Sequence, residues 1–293
     1  MTRWLVTGSG GMLGRDLLSV LAEAGIAATA LDRAALDITD PAAVRAAVAG
    51  HGVVVNCAAW TDVDGAEAAE EAATAVNGTG VRHLAAACAE AGARLLHVST
   101  DYVLPGDAGQ PYPEDAATGP ANAYGRSKLA GERAVAELLP EHGYVVRTAW
   151  LYGEHGNNFV ATMLKLAAQR ETLDVVDDQQ GQPTWSYALA QQLAALGRAP
   201  GAPAGIYHGT ASGRTTWYGL ARAAYELSGL DPERIRPTSS AAFVRPAVRP
   251  AYSVLGHDRW AAAGLAPLPD WRASLALALG RPAFAALAPK AAR

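Results

Sequence analysis

A glycine-rich turn between the first strand and the first helix limits this chain to few folds. Trp4 to Thr7 predict a short buried strand, and Gly8, Gly11 and Gly14 follow at once, before a helical pattern begins. Glycine allows positive φ and lets backbone amides approach a pyrophosphate at the positive end of a helix dipole. This strand–turn–helix arrangement predicts a dinucleotide-binding fold.

Strands and helices alternate through the first half of the chain. Further strands are predicted at Ala27 to Leu31, Val53 to Asn56, Arg94 to Val98 and Tyr144 to Thr148. We therefore predict an α/β fold, a Rossmann-type doubly wound parallel sheet that forms a dinucleotide-binding domain over residues 1–150. Residues 151–293 are predicted to be a smaller C-terminal α+β domain that mainly binds substrate, and a segment near 184–210 is expected to return to the first sheet.

The composition argues against a nucleic-acid-binding protein and against a membrane protein. Half of the 293 residues are hydrophobic, 18% are charged and the net charge is -4, which argues against a nucleic-acid-binding surface. No apolar run approaches the ~20 residues of a membrane span and no signal-peptide pattern is present, so we expect a cytoplasmic protein with no membrane partner. Cys57 and Cys88 have no ligand spacing and the histidines are scattered, so no metal site is predicted.

The end of the second strand carries two residues that bear on the cofactor. Asp32 stands where a carboxylate is expected to hold the adenosine ribose, whereas the adjacent Arg33 suits a 2′-phosphate. Asp32 favours NAD and Arg33 favours NADP. We expect NADPH with some tolerance of NADH.

Tyr124 and Lys128 are the first candidates for chemistry, because positions four apart share one face of a helix. A nearby cation favours phenolate and lowers the pKa of a tyrosine from ~10 towards neutrality, which makes Tyr124 a candidate proton donor. Thr100, at the end of the fourth strand, can hydrogen-bond a substrate carbonyl. A solvated lysine and a threonine that caps a turn remain the open alternatives here.

Three further segments carry structural expectations. Two helices are predicted to meet at Val76-Asn77-Gly78, and a later helix is predicted from Thr184 to Leu196. The basic, proline-rich segment from Arg245 to Pro250 either meets a phosphate or forms a solvated loop.

The chain resembles the extended short-chain dehydrogenase/reductases, and within them the dTDP-4-dehydrorhamnose reductase family. The likeness runs almost from end to end. It is carried by Thr7 to Gly14, Leu36 to Asp40, Val55 to Asp64, Ser99 to Val103, Tyr124 to Lys128, Arg147 to Gly153, Asn157 to Phe159, Val175 to Gln179, Gly181 to Thr184, Gly205 to His208 and Arg249 to Ser253.

The resemblance implies hydride transfer from NADPH to the C4 ketone of a dTDP-linked 4-keto-6-deoxy-L-hexose. It implies that Tyr124 protonates the C4 alkoxide, that Lys128 lowers the Tyr124 pKa and holds the nicotinamide ribose, and that Thr100 bonds the carbonyl. The implied substrate-binding residues are Thr100, Asp101, Tyr102 and Trp150. The expected cofactor-binding residues are Gly8, Gly10, Gly11, Met12, Leu13, Gly14, Asp32, Arg33, Asp37, Ile38, Ala58, Ala59, Trp60, Tyr124 and Lys128.

This sequence departs from the family pattern at Trp60, Leu104 and Gly256. These departures leave open a 4-ketoreductase for another dTDP-deoxysugar, such as one in an antibiotic pathway. A non-catalytic NADP-binding regulatory subunit is a further alternative, although such a chain is expected to lose part of the Thr/Tyr/Lys set. Some family members dimerise through Mg²⁺ held by C-terminal glutamates; because no Glu follows Gly256, we expect a monomer without that metal.

Overall fold

The computed structural model describes residues 2–287. The first 148 residues alternate strands with helices. The strands are β1 Trp4–Thr7, β2 Ala28–Leu31, β3 Val53–Asn56, β4 Arg94–Thr100 and β5 Gly143–Thr148. The helices are α1 Met12–Glu23, α2 Pro41–Val48, α3 Val63–Ala68, α4 Glu70–Thr74, α5 Val81–Ala91 and α6 Ala123–Leu138.

Short strands and helices make up the rest of the described chain. The strands are β6 Leu151–Tyr152, β7 Leu173–Val176, β8 Gln180–Gly181, β9 Thr184–Trp185, β10 Gly205–His208, β11 Ala211–Ser212, β12 Thr215–Thr216, β13 Ile235–Thr238 and β14 Leu268–Asp270. The helices are α7 Phe159–Ala167, α8 Ser186–Arg198, α9 Trp217–Leu227, α10 Arg259–Ala262, α11 Trp271–Leu279 and α12 Pro282–Ala285. None of the helices within residues 2–287 is long and apolar enough to span a membrane.

Six parallel strands form the central sheet, in the order β10-β5-β4-β3-β1-β2. The predicted Rossmann-type α/β fold is confirmed. The segment near 184–210 that was expected to return to the first sheet does so through β10, which forms one edge of this sheet beside β5. All six carboxyl ends therefore meet at one edge of the sheet, where ligands bind in open α/β folds.

Apolar side chains cover both faces of the sheet, as a buried parallel sheet requires. On one face, Leu5 of β1 packs in a cluster with Val44 of α2 and Leu84 of α5. On the other face, Val6 shares a cluster with Leu189 of α8. Because neighbouring residues of a strand point to opposite faces, β1 anchors both layers and holds the glycine turn that follows it.

Two sequence predictions of helix boundaries are wrong. The two helices that were expected to meet at Val76-Asn77-Gly78 form one continuous helical stretch, because Ala75–Gly80 is a π-helical turn that connects α4 to α5. The helix expected from Thr184 begins at Ser186, because Thr184 and Trp185 pair with β6. Pairing between segments distant in the chain decided the second boundary against local helix propensity.

Candidate active site

A cavity of about 1170 Å³ opens at the carboxyl edge of the central sheet. Typical small-molecule pockets measure roughly 300–1,000 Å³, so this one has room for more than a single small ligand. The site residues predicted from the sequence all line it. They are Gly8, Gly10, Gly11, Met12, Leu13, Gly14, Asp32, Arg33, Asp37, Ile38, Ala58, Ala59, Trp60, Thr100, Asp101, Tyr102, Tyr124, Lys128 and Trp150.

The glycine turn forms a close-fitting backbone cradle at one end of this cavity. Gly8 has φ +66°, and a Cβ there would overlap the Ala58 amide. A Cβ on Gly14 would overlap the carbonyl oxygen of Gly8. The N-cap residue Gly11 has no side chain to cap α1, so the first amides of this helix are available to an anion. The cradle therefore fits the pyrophosphate of a dinucleotide.

The end of β2 presents one fixed carboxylate and one exposed cation. Asp32 Oδ1 accepts hydrogen bonds from the Ala34 and Ala35 amides, both at 3.0 Å, which fixes the orientation of the side chain. Arg33 beside it is exposed. Asp37 lies further along the same loop, and hydrogen bonds from the Thr39 amide and hydroxyl lower its pKa.

Helix α6 carries Tyr124 and Lys128 into the cavity from the opposite side. Its N-cap Asn122 accepts a hydrogen bond from the Gly125 amide at 2.8 Å, a common helix-starting interaction. Tyr102 lies edge-on to Tyr124, with ring centroids 5.8 Å apart. The cap therefore sets the position at which Tyr124 enters the cavity wall.

Tyr124 has a raised pKa in this structure, so the expected lowering by Lys128 is wrong here. Withdrawal from water raises the pKa most and the nearby Asp101 raises it further, while the Thr100 hydroxyl acts in the opposite direction. The Lys128 ammonium group instead donates to the Val98 carbonyl oxygen at 2.7 Å. Tyr124 is accordingly held as a phenol that has a proton to give.

Lys128 itself is buried, with 2% of its surface exposed. Burial lowers its pKa to about 8, while the carboxylate of Glu132 acts in the opposite direction. Glu132 accepts hydrogen bonds from Ser99 at 2.6 Å and from Arg147 at 2.7 and 3.0 Å. Lys128 therefore lies beside a buried ion pair that joins α6 to β5.

Asp101 places a second titratable group at the cavity wall. Burial raises its pKa to about 6, against the opposite effect of the nearby Ser253 and Thr100 hydroxyls. Its Oδ1 accepts a hydrogen bond from Thr100 at 3.0 Å, whereas its Oδ2 has no partner among residues 2–287. Asp101 thus contributes a buried carboxylate to the cavity wall.

Trp150 is held in a strained backbone conformation by a neighbour that the sequence prediction missed. Its φ of +47° is the only positive value outside glycine in residues 2–287. Trp217, at the start of α9, stacks on it with centroids 3.7 Å apart and planes 12° apart, and also lines the cavity. Trp217 thus covers one face of Trp150. No local sequence pattern links the two residues.

Asn77 was also missed, and it joins the cofactor side of the cavity to α6. Its amide group bonds both the amide and the carbonyl of Trp60, at 2.9 and 3.0 Å, and donates to the Ser127 hydroxyl. Ser127 in turn donates to the Tyr124 carbonyl at 2.7 Å. The π-helical turn places Asn77 here, and an asparagine amid apolar helical residues was the only sequence signal for it.

The basic segment from Arg245 to Pro250 forms an irregular, largely exposed loop, which agrees with the expected solvated loop, and its contact with a phosphate stays a prediction. Arg249 donates to both oxygens of Asp64, at 2.8 and 2.9 Å, and Arg245 lies 3.5 Å from the same carboxylate. These contacts lower the Asp64 pKa. The segment is fixed to the start of α3 by an ion pair.

No group of three or more metal-ligating side chains occurs within the described part of the chain. Cys57 and Cys88 are free thiols. Burial raises the pKa of each to about 12, which keeps them protonated. Neither is a candidate nucleophile.

Comparison with known proteins identifies the family. The family model described as the RmlD substrate binding domain matches residues 2–283. The chain belongs to this family. Members of the RmlD substrate binding domain family can therefore be compared with the cavity described above.

Three relatives illustrate the likeness. A dTDP-4-dehydrorhamnose reductase from Streptomyces griseus is 62% identical over 278 residues, which cover 93% of this chain and 91% of the relative. A dTDP-4-keto-6-deoxy-D-glucose reductase from Streptomyces niveus is 54% identical, covering 93% and 95%. The crystal structure of a dTDP-4-dehydrorhamnose reductase from Bacillus anthracis in complex with NADP has a TM-score of 0.91 at 35% identity, covering 95% and 99%.

Proposed function

We propose that this protein reduces the C4 ketone of a dTDP-linked 4-keto-6-deoxy-L-hexose with NADPH, the parent reaction being dTDP-4-dehydrorhamnose to dTDP-L-rhamnose. The observation that carries the proposal is one cavity that joins a glycine cradle to Thr100, Tyr124 and Lys128. The Streptomyces griseus relative bears the name of that reaction.

The donor set fits NADPH. The amides of the glycine turn would hold the pyrophosphate, Asp32 and Arg33 the adenosine end, and Lys128 the nicotinamide ribose. The walls would be formed by Gly8, Gly10 to Gly14, Asp37, Ile38 and Ala58 to Trp60. When bound, the reduced nicotinamide supplies the hydride. The NADP complex of the Bacillus anthracis relative supports this choice of cofactor.

The side chains divide the remaining chemistry between them. Thr100, whose hydroxyl donates to Asp101 Oδ1 without ligand, would turn this proton to the carbonyl oxygen and so stabilise the charge that develops there. Tyr124 gives its phenolic proton to the same oxygen as it becomes an alkoxide. The Lys128 ammonium group then stabilises the resulting phenolate. Asp101, Tyr102 and Trp150 line the part of the cavity that would receive the sugar.

Replacing Arg33 with Ala is expected to weaken NADPH binding about 10- to 100-fold, because a charged hydrogen bond to phosphate contributes ~1.5–3 kcal/mol. NADH lacks the 2′-phosphate, so its affinity should change far less. Fluorescence titration of both cofactors measures the difference. Arg45→Ala is the control, because Arg45 forms an exposed ion pair with Glu90 on α5. Equal losses for the two cofactors would remove Arg33 from phosphate recognition.

Replacing Trp217 with Leu is expected to raise KM for the sugar nucleotide by up to about tenfold. The stacked pair contributes ~0.5–1.5 kcal/mol, and without it nothing on that face holds Trp150 at positive φ. NADPH affinity should stay the same. Steady-state kinetics of this variant are compared with Tyr218→Leu, which alters the next residue of α9. A KM equal to that of the wild type would deny Trp217 any part in the sugar site.

Another dTDP-deoxysugar is the second candidate substrate. The Streptomyces niveus relative, named for dTDP-4-keto-6-deoxy-D-glucose, is 54% identical to this chain. The departures from the family pattern at Trp60, Leu104 and Gly256 favour the same alternative. Both substrates use the same C4 chemistry and differ in the sugar that the Trp150 side of the cavity receives.

One assay distinguishes the candidates. The purified protein is supplied with dTDP-4-keto-6-deoxyglucose and NADPH, with and without a 3,5-epimerase, while nicotinamide absorbance is followed and products are identified by NMR. Epimerase-dependent oxidation that yields dTDP-L-rhamnose supports the parent reaction. Oxidation without the epimerase supports the alternative. Protein that binds NADPH but oxidises it with neither substrate would contradict both and favour a regulatory subunit.

We further propose that the protein acts as a monomer in the cytoplasm and that residues beyond 150 mainly bind substrate. The lack of any Glu after Gly256 supports the monomer, because no C-terminal glutamate is available to bridge a Mg²⁺. The free thiols of Cys57 and Cys88 are consistent with a reducing compartment. Trp217 lines the cavity from the part beyond residue 150 and so supports a substrate role for that part.

A further inference from the structure

A row of buried polar groups runs behind Lys128, through the central sheet. The Thr7 hydroxyl donates to Asn56 Oδ1 at 2.6 Å, Asn56 Nδ2 lies 3.0 Å from His97 Nδ1, and His97 Nε2 lies 3.4 Å from Lys128 Nζ. Asn56 and His97 are fully buried. The reaction described above gives these groups no role.

The orientation of Asn56 follows from its neighbours. The Ala58 backbone amide donates to Asn56 Oδ1 at 3.1 Å, and a backbone N–H can only donate. The atom that faces Ala58 and Thr7 is therefore the amide oxygen. The amide nitrogen must face His97, and it too can only donate.

The proton position on His97 follows in turn. Because Asn56 donates to Nδ1, that nitrogen uses its lone pair, and a neutral ring must carry its proton on Nε2. Burial and then the nearby Lys128 hold the His97 pKa well below its usual range, so the ring is neutral. The Nε2–H bond thus points at Lys128 Nζ.

This contact distinguishes the two forms of Lys128. An ammonium group has three N–H bonds and no lone pair, so it cannot accept from His97, whereas a neutral amine can. The Val98 carbonyl accepts from either form. We infer that His97, locked in one tautomer by Asn56, is a positioning residue that sets the protonation equilibrium of Lys128 by favouring the amine. The inference rests on the proposed function only in giving that equilibrium a catalytic consequence.

Other titratable groups act on the same lysine. The carboxylate of Glu132, one turn along α6, favours the ammonium form. The Cys57 thiol after β3 is protonated near neutral pH and adds no charge. Arg147 neutralises part of the Glu132 charge, and Tyr124 lies one turn before Lys128 on α6. Burial lowers the pKa of Lys128 to about 8. In the inferred arrangement, the His97 contact at 3.4 Å adds to this lowering. Lys128 therefore changes charge close to neutral pH, where loss of the ammonium form removes support from the Tyr124 phenolate.

The first test is the tautomer of His97 in the full chain without nucleotide. Long-range ¹H–¹⁵N correlation distinguishes the two tautomers for each of the seven histidines, and His97 is assigned by the signal that His97→Gln lacks. We expect the proton on Nε2. A proton on Nδ1, or a doubly protonated ring at neutral pH, would overturn the inference.

The second test follows Lys128 directly, because the chain contains only three lysines, Lys128, Lys165 and Lys290. In ¹³C-lysine-labelled protein, His97→Leu should move the Lys128 titration to higher pH, changing the ammonium-to-amine ratio about tenfold, as loss of ~1.4 kcal/mol predicts. Asn56→Asp should do the same while moving the His97 proton to Nδ1. The control His142→Leu, at an exposed histidine, should leave the titration unchanged. If the Lys128 titration is unchanged in both His97→Leu and Asn56→Asp, the inference is contradicted.

Kinetics separate this inference from the proposed reaction. The basic limb of the kcat/KM profile should move to higher pH in His97→Leu together with the Lys128 signal, which a purely structural role for His97 would not produce. If the Lys128 NMR titration shifts but the basic limb of the kcat/KM profile does not, Lys128 is not the catalytic cation. The coupling between Lys128 and His97 would still be supported. Both NMR measurements hold whether or not the chain reduces a dTDP-sugar.

Discussion

Replacing Tyr124 with Phe is expected to lower kcat by roughly 10²–10⁴-fold, the usual contribution of a positioned general acid. Burial and Asp101 hold Tyr124 as a phenol, so the wild-type residue keeps its proton until the alkoxide develops. Phe keeps the ring and its edge-on packing against Tyr102 and removes only the hydroxyl. NADPH affinity should therefore stay close to that of the wild type. Single-turnover kinetics and cofactor titration measure the two effects separately.

Tyr102→Phe is the matched control, since Tyr102 lines the same cavity without occupying the proposed proton-donor position. We expect it to raise KM for the sugar nucleotide more than it lowers kcat. If Tyr124→Phe kept near-normal turnover, another group would have to supply the proton. Equal losses of kcat in the two variants would indicate that the cavity has changed shape.

The sequence predicted the central sheet and the contents of the cavity well, because both follow from local patterns. A buried run such as Val53–Asn56 is typical of a core strand, and the glycines after Thr7 allow the positive φ that the turn needs at Gly8. Parallel strands then bring their carboxyl ends together. Thr100 at the end of β4 and Tyr124 at the start of α6 both lie at that edge and line the cavity.

The electrostatics of the site could not be predicted, because they depend on contacts between distant segments. The spacing of Tyr124 and Lys128 indicated a shared face and gave no sign that the lysine would bond the Val98 carbonyl. The stack of Trp217 on Trp150 joins residues 67 positions apart, and the bond from Asn77 to Ser127 spans 50. The helix period of 3.6 residues and the strand period of 2 residues predict which face of an element a side chain lies on. They carry no information about contacts between distant segments.

The buried pair of Glu132 and Arg147 gives the largest expected effect on stability. The two side chains are 5% and 1% exposed, and two hydrogen bonds join them. Glu132→Gln leaves the guanidinium of Arg147 buried without its counter-charge, which typically costs about 3–5 kcal/mol of unfolding free energy. Urea unfolding followed by circular dichroism measures the loss. Glu137→Gln on the same helix is the control: its pair with Arg82 is about half exposed, and such pairs contribute ~0–1 kcal/mol.

Glu132→Gln should also shift the pKa of Lys128, in the direction opposite to the shift expected for His97→Leu. The Glu132 carboxylate raises the Lys128 pKa, so its removal favours the amine, and the basic limb of kcat/KM should shift to lower pH. His97→Leu removes a contact that favours the amine, and the limb should shift to higher pH. A variant that unfolds more easily has no reason to move the limb in a particular direction. Opposite shifts of the basic limb would therefore indicate that Glu132 raises the Lys128 pKa and that His97 lowers it. Shifts in the same direction would contradict this.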